Sequence, residues 1–376
     1  MNPKEKKPAI LLAAMILFLF MGIDFILGVT MIPDHFNSFR VQNSIYHHGL
    51  QKNVNATAVW GPLFYSFHTN SLSFRDNSTR TIPLKSEKKR ILIMGDSHSE
   101  GVGVEYQFTF AGRLQDKGHA EGVEILNASA VSYSPKIHYL KSDYLINQKG
   151  LEVDEIWVAI DISDLQNEIA YKTFLSETGQ KEGEKGKWKR FLKHNSFTFY
   201  TLLQFRENKE TAKLNQTLLN TKSKRGSLPD LNSIELYKEF FRSFTDEELI
   251  KNPDFHGVSE WIYEEKLREL ADEGLQLGFD NIRKLNTICR NRKIKLRLSV
   301  HPWQTQIMKR DTSDYYVESW KNFCSDENIE FINLYPLFIN HENPVMVIKS
   351  CYIEGDNHWN EVGHQRVAEY LKEFLN

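Results

Sequence analysis

Short apolar runs alternate with amphipathic stretches from about residue 90 to the end of the chain. Five of these runs have the length of buried strands, and they cover residues 91–94, 123–127, 156–160, 294–300 and 329–334. Apolar runs of this length that end at turn residues are typical of strands in a sheet core. Before the fourth run, Leu275, Phe279, Ile282 and Cys289 share one helical face. Strands that alternate with helices predict a parallel sheet covered by helices on both faces, an α/β fold.

A longer apolar run lies near the N-terminus. It extends from Ala9 to Ile23, is interrupted by Asp24 and continues to Val29, and three lysines precede it. A helix that spans a bilayer needs about 20 mostly apolar residues, so residues 1–32 are predicted to form a transmembrane signal anchor. The lysines place the N-terminus in the cytoplasm and the rest of the chain outside it. A cleaved signal peptide is the alternative, although no convincing cleavage site is present.

Two other segments differ from this pattern. Residues 33–89 are polar and aromatic without a helical period, and we expect them to form an arm of short strands and turns packed on the main domain, residues 90–376. Within that domain, residues 172–255 are charged and irregular. A structureless stretch of this length is unusual in a domain, so it is interpreted as a mainly helical insertion, a candidate lid or substrate-binding surface. A solvated spacer is the alternative.

Composition excludes several classes of protein. With 376 residues and 41% hydrophobic residues, the chain has enough apolar side chains for a sizeable core. Its formal net charge of −2 gives no argument for a nucleic-acid partner. Three cysteines are too few for a disulfide framework, and their spacing fits no metal motif. Cys324 and Cys351 either pair in an oxidising compartment or are buried thiols.

Candidate chemistry begins where the first strand of the main domain ends. Ser97 follows Gly95 and Asp96 directly after the apolar run. In open α/β sheets, ligands bind at the carboxyl ends of the strands. Asp356 and His358 lie in a loop before the last amphipathic stretch. A histidine oriented by a carboxylate can take the proton of a serine and return it to a leaving alcohol, so these three residues are a candidate nucleophile, orienter and base.

Two motifs carry a resemblance to a known family. Residues 95–101, Gly-Asp-Ser-His-Ser-Glu-Gly, are similar to the first block of the SGNH (GDSL-type) hydrolases. The segment Asp356-x-His358-Trp359, with Gly363 after it, resembles the last block. The closest similarity is to the Asp-x-His-Trp variant of membrane-anchored, SGNH-like bacterial proteins that handle acetyl groups on exported polysaccharides. The resemblance covers residues 90–376 except the insertion.

The resemblance implies a flavodoxin-like α/β/α sandwich with a central parallel sheet of about five strands. It implies Ser97 as nucleophile, His358 as base and Asp356 as orienter, with no cofactor. The oxyanion hole would be formed by Ser97, by Ser129 in place of the family's glycine and by Ser163 in place of its asparagine. Loss of one oxyanion donor typically lowers the rate about 100- to 1000-fold. Either Ser163 substitutes, or Asn167 reaches the site, or turnover is slow.

Other residues at the same sheet edge have two interpretations each. Asp161 and Asp164 have no third ligand in view, so no metal is predicted. His301 and Trp303 follow the fourth strand and form either a substrate-contacting rim or a packing corner. Trp359 either stacks on a sugar or packs beneath His358.

Three functions follow from these observations. The first is a serine esterase, anchored at the membrane, that removes an acyl group, most plausibly acetyl, from an envelope carbohydrate or lipid. The second is an O-acyltransferase to a cell-surface polysaccharide with the same acyl-enzyme. The third is an inactive polysaccharide-binding protein. In each case the expected partners are an acylated carbohydrate or lipid, the membrane and an envelope-polysaccharide machinery.

Overall fold

The computed structural model describes residues 3–31, 37, 39–60, 63–174, 192, 195–202, 261–263, 265–339, 343–354 and 356–375. The chain divides into two compact units. One contains an N-terminal helix, α1 (Pro3–Met31), together with the short segment 195–202. The other contains the strands and the remaining helices that the structure describes in residues 39–174 and 261–375. Most of the predicted insertion, residues 172–255, lies outside the described residues.

Helix α1 carries the predicted anchor. Its segment Leu11–Thr30 has 20 residues with a mean hydropathy of 2.5, and only 6% of it is buried. This length and composition suffice to cross a bilayer, and a signal sequence shares both features. Asp24, the polar residue in the apolar run, accepts a hydrogen bond from the backbone N–H of Thr198 at 2.7 Å. The first unit therefore gives this carboxylate a partner.

The predicted arm is part of the sheet system of the main unit. Its strands are β1 (Arg40–Asn43), β2 (His47–Leu50), β3 (Asn55–Trp60), β4 (Leu63–Thr69) and β5 (Arg75–Asp76). β1 and β2 form a separate antiparallel pair. β3, β4 and β5 are antiparallel neighbours, and β5 joins the main sheet where Arg75 pairs with Asn127. Three arm strands thus extend the main sheet instead of only packing on it.

The centre of the main sheet is parallel. Its strands are β6 (Lys89–Met94), β7 (Val123–Asn127), β8 (Glu155–Ile160), β9 (Lys295–Val300) and β10 (Glu330–Asn333). The full order is β10-β9-β8-β6-β7-β5-β4-β3. Numbered within the parallel part, this is 2-1-3-4-5 read from β7, the flavodoxin-like order. The predicted α/β/α fold with about five parallel strands is confirmed.

Helices cover this sheet on both faces. The main unit contains α2 (Ser97–Glu100), α3 (Phe110–Ala120), α4 (Pro135–Asp143), α5 (Ser163–Tyr171), α6 (Arg268–Arg292), α7 (Gln304–Lys309), α8 (Tyr315–Asp326), α9 (Tyr335–Ile339), α10 (Pro344–Cys351) and α11 (Glu361–Leu371). α3 packs against α11, while α6 packs against α4 and α5. The predicted helical face of Leu275, Phe279, Ile282 and Cys289 is the buried face of α6. All three cysteines are buried thiols, and Cys324 and Cys351 form no disulfide.

Candidate active site

Ser97 lies at the carboxyl end of β6, where the order of the parallel strands reverses. β6 is buried and apolar and ends at Met94, and Gly95 follows because a Cβ there would lie 2.2 Å from Ser99 Oγ. Asp96 caps α2, since its carboxylate accepts the backbone N–H of His98 at 3.0 Å. Ser97 is then the first residue of α2, so its backbone N–H has no acceptor within the helix. The hydroxyl therefore lies at the topological switch point between β6 and β8, where ligands bind in doubly wound folds.

The structure brings the three predicted triad residues together. His358 Nε2 lies 2.7 Å from Ser97 Oγ. On the other side of the ring, His358 Nδ1 makes a short hydrogen bond to Asp356 Oδ1, which also accepts the backbone N–H of His358 at 2.9 Å. With Nδ1–H donating to the carboxylate, Nε2 presents its lone pair to the serine hydroxyl. This is the order of groups that a general base needs to activate a serine.

The Asp356 carboxylate is held from a second direction by the arm. Trp60, the last residue of β3, donates its indole N–H to Asp356 Oδ2 at 2.8 Å. Its ring also meets His358 edge-on, with 4.9 Å between the ring centroids. Burial alone would raise the pKa of Asp356, but the hydrogen bonds of His358 and Trp60 lower it below its usual range. The carboxylate is therefore ionised in the neutral pH range.

Trp60 is a site residue that sequence reasoning missed. It lies 296 positions from Asp356, in a segment that carries no hydrolase motif. The only signal in the sequence is a tryptophan before Gly61-Pro62, which by itself reads as a hairpin turn.

Two of the three predicted oxyanion residues have other partners. Ser163 donates both its backbone N–H, at 2.7 Å, and its hydroxyl, at 2.6 Å, to Asp161 Oδ1. The prediction of Ser163 as an oxyanion donor is therefore wrong in this geometry, because its hydroxyl turns back to the carboxylate two residues earlier. Ser129 is fully buried and its backbone N–H donates to Asn127 Oδ1 at 3.2 Å. This N–H therefore already has a hydrogen-bond acceptor in the structure.

A buried lysine acts on the peptide group of Ser129. Lys141 on α4 is 1% exposed, and its ammonium donates to the carbonyl of Ala128 at 2.6 Å and to Tyr133 Oη at 3.1 Å. That carbonyl belongs to the same peptide group as the N–H of Ser129. A cation on the carbonyl oxygen fixes the peptide plane and polarises its N–H. Burial lowers the pKa of Lys141 to about 7, opposed by the charge of Glu100.

Below the triad lies a buried cluster centred on Asp161, directly after β8. Asp161 Oδ2 accepts the indole N–H of Trp303 at 2.9 Å. The same oxygen lies 3.3 Å from His98 Nδ1 and 3.4 Å from His301 Nε2. His301 is fully buried and Trp303 is 7% exposed. Neither forms the substrate-contacting rim that was one of their predicted roles, because both side chains turn inward to Asp161.

Trp359 is also buried, with 1% of its surface exposed. Its ring stacks on Phe338 with 5.6 Å between centroids and lies 5.0 Å from the ring of His98 and 4.6 Å from that of His301. In this structure it packs beneath the triad loop, so it offers no face for a sugar.

The cluster contains donors of a kind that metals use. Oxygen or nitrogen atoms of Asp96, His98, Asp161 and His301 all lie within 4.8 Å of one another. This set differs from the pair of Asp161 and Asp164 considered in the sequence, because Asp164 contributes no ligand atom to it. Asp161 already accepts hydrogen bonds on both oxygens, and Asp96 caps α2. Nδ1 of His98 and both ring nitrogens of His301 are buried and make no hydrogen bond in the part of the chain that the structure describes.

The fold and the site together define a class: a doubly wound α/β protein with a serine, a histidine and an aspartate aligned at the switch point. No family model and no curated protein sequence matches the chain. Solved structures with a related fold include proteins of the family that the two motifs resemble.

Three of these structures illustrate the range. A protein assigned to the G-D-S-L family of lipolytic proteins from Desulfitobacterium hafniense has 9% identity and a TM-score of 0.37, covering 76% of this chain and 98% of its own. A psychrotrophic esterase from Pseudoalteromonas has 13% identity and a TM-score of 0.38, with 77% and 99% covered. An acetylxylan esterase from Geobacillus stearothermophilus has 13% identity and a TM-score of 0.39, with 78% and 96% covered. At these values, the fold and site of this chain rest on its own geometry.

Proposed function

We propose that the chain is a serine esterase of the SGNH type. The observation that carries this proposal is the 2.7 Å separation of Ser97 Oγ and His358 Nε2, with Asp356 on the other ring nitrogen. Ser97 Oγ also lies 3.2 Å from Asp96 Oδ2, but the shorter contact is to the imidazole. A hydroxyl in this position loses its proton to His358 as it attacks a carbonyl carbon.

The reaction proceeds through an acyl-enzyme. Ser97 Oγ forms a bond to the ester carbonyl carbon while His358 takes the serine proton, and Asp356 stabilises the resulting imidazolium. His358 then gives that proton to the leaving alcohol as the ester C–O bond breaks. Water, deprotonated by His358, attacks the acyl group and releases the acid, which restores Ser97.

The negative oxygen of the tetrahedral intermediate needs N–H donors. The backbone N–H of Ser97, at the start of α2, is one, and its position at a helix N-terminus favours negative charge. The N–H of Ser129 is the second donor in this proposal, and it exchanges its hydrogen bond to Asn127 Oδ1 for one to the oxyanion. The proposed oxyanion hole therefore consists of backbone N–H donors. In the family pattern, the side-chain amide of an asparagine is one of the donors.

The proposed substrate is an O-acyl ester, most plausibly O-acetyl, of an envelope carbohydrate or lipid. Support comes from the Asp-x-His-Trp form of the last block, at Asp356–Trp359, and from the apolar helix α1. In this proposal α1 is a single-pass anchor with the lysines on the cytoplasmic side and the catalytic unit outside. A sugar hydroxyl in place of water would make the same acyl-enzyme an acyltransferase.

Active-site labelling tests the proposal. The purified full chain should react with a fluorophosphonate at Ser97 and hydrolyse p-nitrophenyl acetate. Ser97→Ala should lower hydrolysis by about a thousandfold or more and abolish labelling. Ser99→Ala is the matched control, because Ser99 lies on the same short helix and is fully buried.

The outcomes separate the three functions. Transfer of the acetyl group to an added sugar in preference to water would replace hydrolysis with acyl transfer. Absence of both labelling and hydrolysis in the wild-type chain would leave the inactive binding protein.

A further inference from the structure

His98 is the residue after the proposed nucleophile, and its side chain points into the protein. It is 1% exposed and lies on the second position of α2. Its Nε2 is 3.0 Å from the carbonyl oxygen of Asn357, the residue between Asp356 and His358. Its Nδ1 is 3.3 Å from Asp161 Oδ2 and 3.8 Å from Asp96 Oδ1. Nε2 of this imidazole thus faces the triad loop, and Nδ1 faces two carboxylates.

These neighbours determine the protonation of the ring. A carbonyl oxygen only accepts hydrogen bonds, so Nε2 carries a hydrogen. The neutral ring would then present the lone pair of Nδ1 to the carboxylate oxygens of Asp161 and Asp96, which is repulsive. A second hydrogen on Nδ1 makes both contacts favourable and makes the ring an imidazolium. Burial disfavours this charge, but the interactions with Asp161 and Asp96 outweigh it and raise the pKa of His98 to about 10.

Asp161 is suited to balance that charge. Besides His98, it faces the backbone and hydroxyl of Ser163, the indole of Trp303 and the ring of His301. Burial raises the pKa of this carboxyl, yet its contacts with His301 and His98 hold the pKa well below its usual range. His301 has a lowered pKa through burial, so it faces Asp161 as a neutral ring. One positive ring therefore faces the ionised carboxylate of Asp161.

His98 connects parts of the chain that are far apart in sequence. The ring is covalently next to Ser97, it is bound to the end of β8 through Asp161, and it reaches the Asn357 carbonyl 259 positions away. Its ring lies 4.8 Å from the ring of His358, with 34° between the planes. A shift of the Asn357 peptide would carry both Asp356 and His358 with it.

We propose that His98 is a positioning residue of the triad: its Nε2–H ties the Asn357 carbonyl to the nucleophile helix α2 and so sets the approach of His358 to Ser97. The inference rests on the proposed esterase function. It assigns a positioning role to the fourth residue of the Gly-Asp-Ser-His motif. This role requires no contact between His98 and the substrate. The contact to Asn357 carries this task, whereas the contact to Asp161 supplies the charge that keeps the ring doubly protonated.

Two amide variants separate the two contacts. In His98→Gln the side-chain amide reaches the position of Nε2 and can donate to the Asn357 carbonyl. In His98→Asn the shorter amide reaches only the position of Nδ1, near Asp161. Both remove the buried ion pair, so both lower the melting temperature of the full chain. We expect His98→Gln to keep the rate of Ser97 labelling by a fluorophosphonate within about threefold of wild type, and His98→Asn to lower it about 10- to 100-fold.

Kinetics with p-nitrophenyl acetate give a second readout. The loss in His98→Asn should fall on kcat, with KM within about twofold of wild type, because the residue touches no substrate. Equal labelling rates in wild type and both variants, or losses that follow melting temperature instead of the Asn357 contact, would overturn the inference. A wild-type chain that is not labelled at all would instead remove the proposed function on which it rests.

A measurement on the unmodified chain covers the case in which the variants do not fold. With ¹⁵N-labelled histidine, Nε2 of His98 should show the protonated shift at pH 8, because it donates to the Asn357 carbonyl. An unprotonated Nε2 at that pH would overturn the inference.

Discussion

At the scale of single residues, the geometry of the candidate site depends on hydrogen bonds that fix the carboxylate and the imidazole together. Asp356 uses one oxygen for His358 and the other for Trp60. His358 in turn is left with one free direction for its lone pair, toward Ser97. The site is therefore pre-oriented by partners that take no part in bond making.

The indole of Trp60 gives the first prediction. Trp60→Phe keeps an aromatic ring against His358 but removes the donor to Asp356, and a hydrogen bond to a charged group contributes about 1.5–3 kcal/mol. We expect kcat/KM for p-nitrophenyl acetate to fall about 10- to 100-fold. Leu63→Ala, at the position paired with Trp60 across the hairpin, is the control and should stay within about threefold. Equal losses in the two variants would mean that the hairpin acts only by packing.

Lys141 gives a prediction about pH. Its pKa is about 7 in the folded chain and about 10.4 in an unfolded one, so the unfolded state binds more protons between these values. The free energy of unfolding should therefore rise with pH from 7 to 10 through this group. Lys141→Met lacks the group, so the stability of wild type relative to this variant should increase over that range. Denaturant titrations at four pH values measure it, and parallel curves would contradict it.

The residues that the sequence predicts are those that lie inside short motifs. Ser97, Asp356 and His358 are identified because their spacing within each block is local. Trp60, His98 and Asp161 contribute through contacts between segments, and one sequence contains no signal for which segments meet. The predicted role of Ser163 differs from the structure for a related reason. Its hydroxyl donates to Asp161, and the sequence contains no signal for the direction of that hydroxyl.

At the scale of elements, β3 and β4 decide whether the arm is part of the main unit. On β4, Phe67 is fully buried and stacks on Phe39 with ring centroids 4.1 Å apart. Phe64, on the opposite face of the same strand, is 66% exposed. Alternation of this kind indicates a strand with one face in the core.

These two phenylalanines form a matched pair for a stability test. Phe67→Ala should lower the free energy of unfolding of the catalytic unit by about 3–5 kcal/mol, because it removes a fully buried ring. Phe64→Ala should change it by less than about 1 kcal/mol. Guanidinium titrations followed by tryptophan fluorescence measure both. An arm that is only an appendage would show a small effect in both variants, without loss of the main transition.

The sequence predicts the parallel strands of the main sheet better than it predicts the strands of the arm. The five parallel strands are predicted because each is a short segment of apolar residues, alternating with polar ones in residues 294–300, and helical patterns separate them. β5 has only two residues, and β3 and β4 mix polar with apolar positions, so their membership of the main sheet has no clear signature. They join the main sheet through β5, which pairs with β7 at Arg75, and this pairing is a tertiary contact.

At the scale of the whole molecule, the two units differ in how much apolar surface they expose. α1 exposes large apolar side chains along Leu11–Thr30, whereas the other unit buries its apolar residues in its own core. The full chain should therefore sediment with membranes and resist extraction by high salt. A chain that lacks residues 1–38 and carries a cleavable export signal should be recovered in the soluble extracytoplasmic fraction. Recovery of the full chain as a soluble, shortened protein would show that α1 is cleaved.

The separation of the triad along the chain has a consequence for timing. Ser97 and His358 are 261 positions apart, and α11, which follows the triad loop, must pack on α3 before that loop has its final position. A ribosome delivers Ser97 long before His358 exists, and until then the serine is an ordinary alcohol without a base. In the proposed esterase, Ser97 therefore gains its base only when the triad loop has been synthesised and has folded beside it.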